Sequence, residues 1–231
     1  MMTRMFEPQL GKNIEVYIDD MVVKSKAEAA HLDDLENIFE ISRKHKLCLN
    51  AAICSFGVGS GKFLGYMVTH CGIEVNPYQI REIHDLQPPR NPKVVQTLTR
   101  LTAALNRFIS RSTDRCRHFF QLLHKWKGFE WTEEYSSAFQ QLKEYLSQPL
   151  IMSKPEEDEV LFAYIAVASH VVSLVLMRDV NGVQRPIYYV SKSLHEAGVR
   201  YLPLEKAILV VVHATWKLLH YFQAHTVVVL T

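Results

Sequence analysis

An α+β fold is predicted by three features of this 231-residue chain: an apolar alternation broken by an acidic pair near its start, a central helical stretch punctuated by prolines, and a closing series of strands around one long apolar helix. Ile14, Val16 and Ile18 alternate with Asn13, Glu15 and Tyr17, the pattern of a half-buried strand. Met21-Val22-Val23 resumes the apolar run at once, so Asp19-Asp20 is expected to form the tight turn of a hairpin. After Lys24-Ser25-Lys26 a helix is expected over 27–46, with Leu32, Leu35, Ile38, Phe39 and Ser42 facing inward. Residues 47–50 read as a short strand, and 63–68 with 73–75 as a second hairpin turned at His70-Cys71-Gly72.

Pro77 and Pro88-Pro89 bracket a short helix, and Asn91-Pro92 opens a longer one to about residue 110. Leu98, Leu101, Leu105 and Phe108 form its apolar face. Trp126, Phe129 and Trp131 could stack on bases, but their place near a helix start favours closing a core. Thr132 is the expected N-cap of a helix through about 147, with Glu133 and Glu134 complementing its positive end. Residues 152–159 read as a polar linker. Strands are expected over 160–166, 171–177 and 185–190, the last two joined by Asn181-Gly182, which tolerates the positive φ angles of a hairpin turn. A helix over 203–221 and a strand over 226–230 close the sequence.

Composition excludes several classes. Hydrophobic residues make up 48% and charged residues 22%, the balance of a globular chain with a real core. The net charge of +2 confines any nucleic-acid surface to a local patch. Cys48, Cys54, Cys71 and Cys116 show no C-x-x-C spacing and no disulfide framework, which favours a reducing, intracellular compartment. No run approaches the roughly 18 apolar residues of a membrane span, so no membrane partner is expected. The eleven histidines never pair with cysteine at zinc spacing. Gly57-Val58-Gly59-Ser60-Gly61 lacks the Lys-Ser/Thr of a phosphate loop and reads as a flexible turn.

The acidic pair carries the chemistry. Two carboxylates ~4 Å apart repel by roughly 4 kcal/mol at an effective dielectric of about 20. A divalent cation such as Mg²⁺ or Mn²⁺ offsets that cost, and two-metal phosphoryl transfer needs clustered carboxylates. A solvated Asp-Asp turn is the bland alternative. Tyr17-Ile18-Asp19-Asp20 between two apolar strands, however, resembles the catalytic hairpin of reverse transcriptases. Leu47-Cys48-Leu49-Asn50, Cys54-Ser55-Phe56 and Phe63-Leu64-Gly65-Tyr66 follow in the order of that family's next segments, including the hairpin that grips the primer terminus. The series resembles the Ty3/Gypsy type of retrotransposon Pol polyprotein.

That resemblance implies a partial polymerase palm over 1–76, a helical thumb and connection over 77–150, and a truncated RNase H-like α/β domain over 158–231. It makes Asp19 the principal metal ligand and catalytic residue, with Asp20 as its weaker neighbour, and puts Tyr17, Phe63, Leu64, Gly65 and Tyr66 against nucleic acid. Lys93, Arg100, Arg107 and Arg111 fall at offsets of 7, 14 and 18 residues and would stack into one basic stripe where the family places its thumb. A solvated helix face explains such a stripe equally well. Asn106-Arg107-Phe108-Ile109 and Phe119-Phe120-Gln121-Leu122-Leu123 also resemble this region of such elements.

In the last part, Ser191-Lys192-Ser193-Leu194, Tyr201, Leu204-Glu205-Lys206 and Tyr221-Phe222 resemble the retrotransposon RNase H-like domain. Aligning Ser173-Leu174-Val175-Leu176 with the family's second strand puts Ala166 where the first catalytic Asp belongs, and alanine offers no ligand. Glu205 is the residual catalytic candidate, although a helix macrodipole explains an acidic residue there equally well. The polymerase's first Asp and the third RNase H carboxylate are expected outside residues 1–231. The resemblance therefore implies the lineage of an RNA-directed DNA polymerase with a ribonuclease H domain, inactive as this piece and binding divalent metal weakly. Its partners would be an RNA/DNA template–primer or hybrid and the missing part of Pol. The alternative is a non-catalytic nucleic-acid-binding or interaction remnant.

Overall fold

The structure, a computed structural model, describes residues 2–25, 27–69, 71–124 and 129–230. His70 of the expected 70–72 turn and Trp126 lie outside that set, as do Met1, Lys26 and Thr231. The chain forms two compact units, Met1–His70 and Cys71–Thr231, in an α+β architecture.

In the first unit a short helix α1 (Met2–Met5) leads into strands β1 (Ile14–Tyr17) and β2 (Asp20–Val23). They pair antiparallel from Ile14↔Val23 to Tyr17↔Asp20, which leaves Ile18-Asp19 as the two-residue turn. The expected turn was Asp19-Asp20, so the hairpin closes one residue early. Ile18 takes φ 55°, a left-handed conformation that a β-branched residue adopts only under strain. Ile14 is fully buried with Phe6 and Ile38, and Val16, Met21 and Val23 pack around them.

Helix α2 (His31–Lys44), preceded by a 3-10 turn over Glu28–Ala30, supplies Ile38 and Ile41 to this core. Leu32 was expected inside but is 75% exposed in the first turn of α2. Ser42 is buried at the cost of a local bond, its Oγ donating to Ile38 O at 2.8 Å. Residues 47–50 form no strand. Instead of one strand over 63–68 there is a tight hairpin, β3 (Ser60–Phe63) and β4 (Tyr66–Thr69), turned by Leu64 at φ 52° and Gly65 at φ 79°. Two successive positive φ angles make a turn whose twist suits the flanking strands. Ser60 and Gly61 are therefore strand residues rather than part of a loop.

The second unit opens with β5 (Gly72–Val75), followed by α3 (Pro77–Asp85) and α4 (Pro92–Ala104). Both helices begin with proline after an asparagine cap: Asn76 Oδ1 accepts from Tyr78 N and Asn91 Oδ1 from Val94 N, each at 3.1 Å. Helix α4 ends at Ala104, short of the expected 110, and the chain then turns through Leu105 and Phe108, both fully buried. Short α5 (Ser112–Arg115), α6 (Arg117–His124) and α7 (Glu133–Leu146) complete the helical part. Trp131 stacks on Phe119 at 6.3 Å and meets Phe139 edge-on, so it closes this core as expected. Thr132 precedes α7, yet its side chain makes no capping bond. β6 (Ile151–Ser153) pairs antiparallel with β5 inside the stretch read as a linker, and buries Met152.

Three long strands follow: β7 (Leu161–Val167), β8 (Val171–Val180) and β9 (Val183–Ser193). Asn181 (φ 56°) and Gly182 (φ 82°) turn β8 into β9. After α8 (Glu196–Val199) comes α9 (Pro203–Lys217), then α10 (Leu219–Ala224) and β10 (Val227–Leu230). The single helix expected over 203–221 breaks at Leu218, whose φ and ψ are −118° and 32°. Strand order is β10-β7-β8-β9, antiparallel except for β10, which runs parallel to β7. Helix α9 lies on this sheet through Val210 and Ala214, against Leu161, Ala163, Val172 and Leu174. Among the described residues no helix is long and apolar enough to cross a membrane.

Candidate catalytic hairpin and nucleic-acid interface

The β1–β2 turn projects its polar groups outward. Tyr17 is 55% exposed, Ile18 71%, and Asp19 and Asp20 are also exposed. The open end of the hairpin is fastened to α2 by one carboxylate. Asp34 accepts from Asn13 Nδ2 at 2.9 Å, just before β1, and from Ser25 Oγ at 2.5 Å, just after β2. Ser25 Oγ also lies 2.9 Å from His31 Nδ1. The two side-chain hydrogen bonds, Ser25 first, hold the Asp34 carboxyl below its ordinary pKa. Sequence reasoning missed this clasp, since its three members share no periodicity. In the second hairpin Phe63 pairs directly with Tyr66 across Leu64-Gly65, so the four residues expected at the primer terminus occupy one tight turn. Leu64 is 41% exposed there.

The basic stripe does not form as expected. Lys93 and Arg100 are exposed on α4, seven residues apart and so on one helix face. Arg107 and Arg111 fall beyond Ala104, where helical spacing no longer applies. Arg107 turns to the strands: its guanidinium carbon sits 4.7 Å from the Tyr188 ring centroid, and its carbonyl accepts from Tyr189 N at 3.2 Å. Arg111, at φ 52°, pairs with Asp114. Two of the four cations are thus placed by other partners.

On the sheet, Ala166 in β7 pairs with Ser173 in β8 and is exposed. Glu205 lies in the first turn of α9, where its Oε2 accepts from Leu202 N at 2.8 Å. That bond satisfies the free N–H at the start of α9, and it supplies a structural reason for the carboxylate. Lys206 beside it is buried and donates to Ser169 O at 3.1 Å, tying α9 to the β7–β8 turn.

Divalent-metal chemistry needs a converging set of oxygen ligands. Among the described residues no group of three or more His, Cys, Asp or Glu could hold a metal ion. The hairpin offers Asp19 and Asp20 alone, and the sheet offers alanine at 166 with Glu205 engaged in a cap. The donor set in hand does not fit a two-metal centre.

Comparison with known proteins gives the lineage. Residues 131–229 match the RNase H-like domain found in reverse transcriptase. The chain is 27% identical over 221 residues to the retrovirus-related Pol polyprotein from transposon 297 of Drosophila melanogaster, covering 95% of this chain and 20% of that protein. Transposon 412 of the same organism gives 27% identity over 96% of this chain and 18% of the relative. The Tf2-3 polyprotein of Schizosaccharomyces pombe gives 21% over 92% and 16%. The chain thus spans about a fifth of the length of the curated relatives it matches. Among solved structures, the foamy viral protease-reverse transcriptase in complex with RNA/DNA hybrid shares the fold at a TM-score of 0.85 and 18% identity, over 99% of this chain and 31% of that one. Its dRH form in complex with double-stranded DNA gives 0.85 and 19%, over 99% and 40%. Reverse transcriptases and RNase H-like enzymes as a class work with divalent cations. Residues 131–229 thus resemble the RNase H-like domain found in reverse transcriptase, in a chain similar along nearly its whole length to retrotransposon Pol polyproteins.

Proposed function

We propose that this chain is the palm end (1–76), helical thumb and connection (77–150) and RNase H-like part (158–231) of a Ty3/Gypsy-type Pol polyprotein, and that it holds an RNA/DNA template–primer or hybrid. One observation carries the reading. The Tyr17–Asp20 hairpin and the RNase H-like sheet occur in order along one chain that resembles Pol polyproteins over 95% of its length. In the parent activity a primer 3′-hydroxyl attacks the α-phosphate of a nucleoside triphosphate, breaking the α–β anhydride bond and releasing pyrophosphate; Asp19 and Asp20 are the residues here that would meet the Mg²⁺ or Mn²⁺ of that reaction. Tyr17, Phe63, Leu64, Gly65 and Tyr66 would lie along the primer, and Lys93 and Arg100 along phosphates, with Arg107 and Arg111 in supporting positions. The free thiols fit a reducing compartment.

The 231-residue polypeptide by itself is expected to bind without catalysing. Two carboxylates on an exposed turn are too few for a metal pair, and Ala166 removes one ligand from the sheet. The test is a labelled primer–template and an RNA/DNA hybrid incubated with the purified chain and Mg²⁺ or Mn²⁺. The reading predicts binding without extension or cleavage, and Ala166→Asp alone does not restore cleavage. Template-dependent incorporation abolished by Asp19→Asn would overturn the non-catalytic part. Absence of any hybrid binding at low salt would overturn the rest.

A further inference from the structure

Within the second unit, a cavity of about 120 Å³ opens between α4, α5 and α6 on one side and β9 with the end of α9 on the other. Its lining brings together Ser112, Tyr189, Ser191, Asn106 and Lys217, whose side chains carry donors, beside Ala103, Cys116 and Phe120; Thr102 also lines it, but its hydroxyl already donates to Thr99 O at 3.1 Å. No carboxylate is among the lining residues. Ser191 Oγ already accepts from Thr113 N at 3.1 Å, so its own proton is left to donate elsewhere.

The surroundings are cationic. Lys217 Nζ lies 5.6 Å from the Tyr188 ring centroid, and the Arg107 guanidinium lies 4.7 Å from the same centroid. Burial, and then Arg107, hold the Lys217 ammonium below its ordinary pKa. Burial, and then Lys192 and Lys217, do the same for His213. Both shifts therefore include repulsion between basic groups gathered from the post-α4 turn, β9 and α9. A shared aromatic ring accounts for where Arg107 and Lys217 sit. It does not account for a donor-lined cavity beside them. Those donors call for a ligand that brings several acceptors and negative charge, and a divalent cation is the wrong sign. With a water occupying about 30 Å³ of liquid, the space takes one tetrahedral oxyanion or a few waters.

We propose that this cavity is a binding site for a phosphoryl-type oxyanion, held by Lys217 with the Asn106 amide and the Ser191 hydroxyl. The same chemistry is presented by a free phosphate and by a phosphodiester of a polynucleotide backbone. The site does not depend on whether the chain holds a template–primer, because inorganic phosphate alone tests it.

The experiment titrates the full chain with sodium phosphate at constant ionic strength, by calorimetry and by amide NMR shifts of residues 102–116 and 189–192. Saturable one-to-one binding is expected. Lys217→Gln should weaken it about tenfold to a hundredfold, the worth of one charge-assisted hydrogen bond. Lys192→Gln, a second variant with its fold checked by circular dichroism, should weaken it about two- to fivefold through the field alone. If an RNA/DNA hybrid displaces phosphate and itself binds more weakly to Lys217→Gln, the natural source is a backbone phosphate. If phosphate binds and hybrid affinity ignores Lys217, the source is a free or small-molecule phosphate. Absence of saturable phosphate binding, or equal affinity in wild type and both variants, overturns the proposal.

Discussion

Two isoleucines four residues apart in one hairpin should respond to truncation with opposite sign. Ile14 is fully buried against Phe6 and Ile38. Ile14→Ala deletes three buried carbons and leaves a cavity, which costs about 2–5 kcal/mol in a core that relaxes only partly. Ile18 is 71% exposed and sits at φ 55°. A side chain in that conformation costs roughly 1–2 kcal/mol that glycine does not pay. Glycine gives back about 0.5–1 kcal/mol in chain entropy. Ile18→Gly should therefore be neutral or stabilise by up to about 1.5 kcal/mol. Native-state hydrogen exchange of the hairpin amides reads the local free energy directly. With a factor of ten per 1.4 kcal/mol, Ile14→Ala should accelerate exchange by roughly 30-fold or more. Ile18→Gly should leave it unchanged or slow it by up to about tenfold. Acceleration of tenfold or more by Ile18→Gly would mean that Ile18 packs as a strand residue. The turn would then be Asp19-Asp20, and the register of both candidate metal ligands would be wrong.

Other outcomes follow from single sites. Gly72→Ala should cost at least about 1 kcal/mol in thermal unfolding, because a Cβ there would fall 2.0 Å from Met152 O, at φ +142°; an unchanged melting temperature would remove the β5–β6 pairing. Burial pushes the Cys116 thiol up to about 11, so in the native protein Cys48 and Cys71 should react with a thiol reagent at neutral pH and Cys116 only after unfolding. His213 is held below its ordinary 6.5 by burial, and then by Lys192 and Lys217, so the unfolded chain takes up its proton first. That contribution is complete above 6.5 and declines as pH falls below it, so melting between about pH 7.5 and about pH 5.5 should show a drop that His213→Gln reduces. Trp216 is 78% exposed on the outer face of α9, and Trp216→Gln should change stability by less than about 0.5 kcal/mol.

What could be read from the sequence depended on whether local preference agreed with the fold. Asn181-Gly182, Asn91-Pro92 and Pro77 are residues whose own chemistry dictates a turn or a helix start, and each was legible. The turns at Ile18-Asp19 and Leu64-Gly65 were displaced or hidden because Ile18 and Leu64 adopt positive φ against their preference, inside runs that read as strand. The end of α4 at Ala104 was concealed by Leu105 and Phe108, which continue the apolar spacing while the backbone has already turned. That single misreading created the four-cation stripe and obscured the place of Arg107 over Tyr188. The acidic pair and Ala166 were visible as residues. The Asp34 clasp and the Lys217 cavity were not, since their members come from separate elements with no linear signature.

The salt dependence of hybrid affinity separates phosphate contacts at Lys93 and Arg100 from a merely solvated helix face. If Lys93 and Arg100 on α4 contact phosphates, each adds about −0.9 to the slope of log K against log salt, together about −1.8. Between about 50 and about 200 mM salt that pair alone accounts for roughly a tenfold loss of affinity. The wild-type chain is expected to bind an RNA/DNA hybrid without sequence preference, and Lys93→Gln with Arg100→Gln should flatten the slope by about 1.8 while leaving the helix folded. An unchanged slope in the double variant, or no hybrid binding at about 50 mM salt, would contradict that expectation.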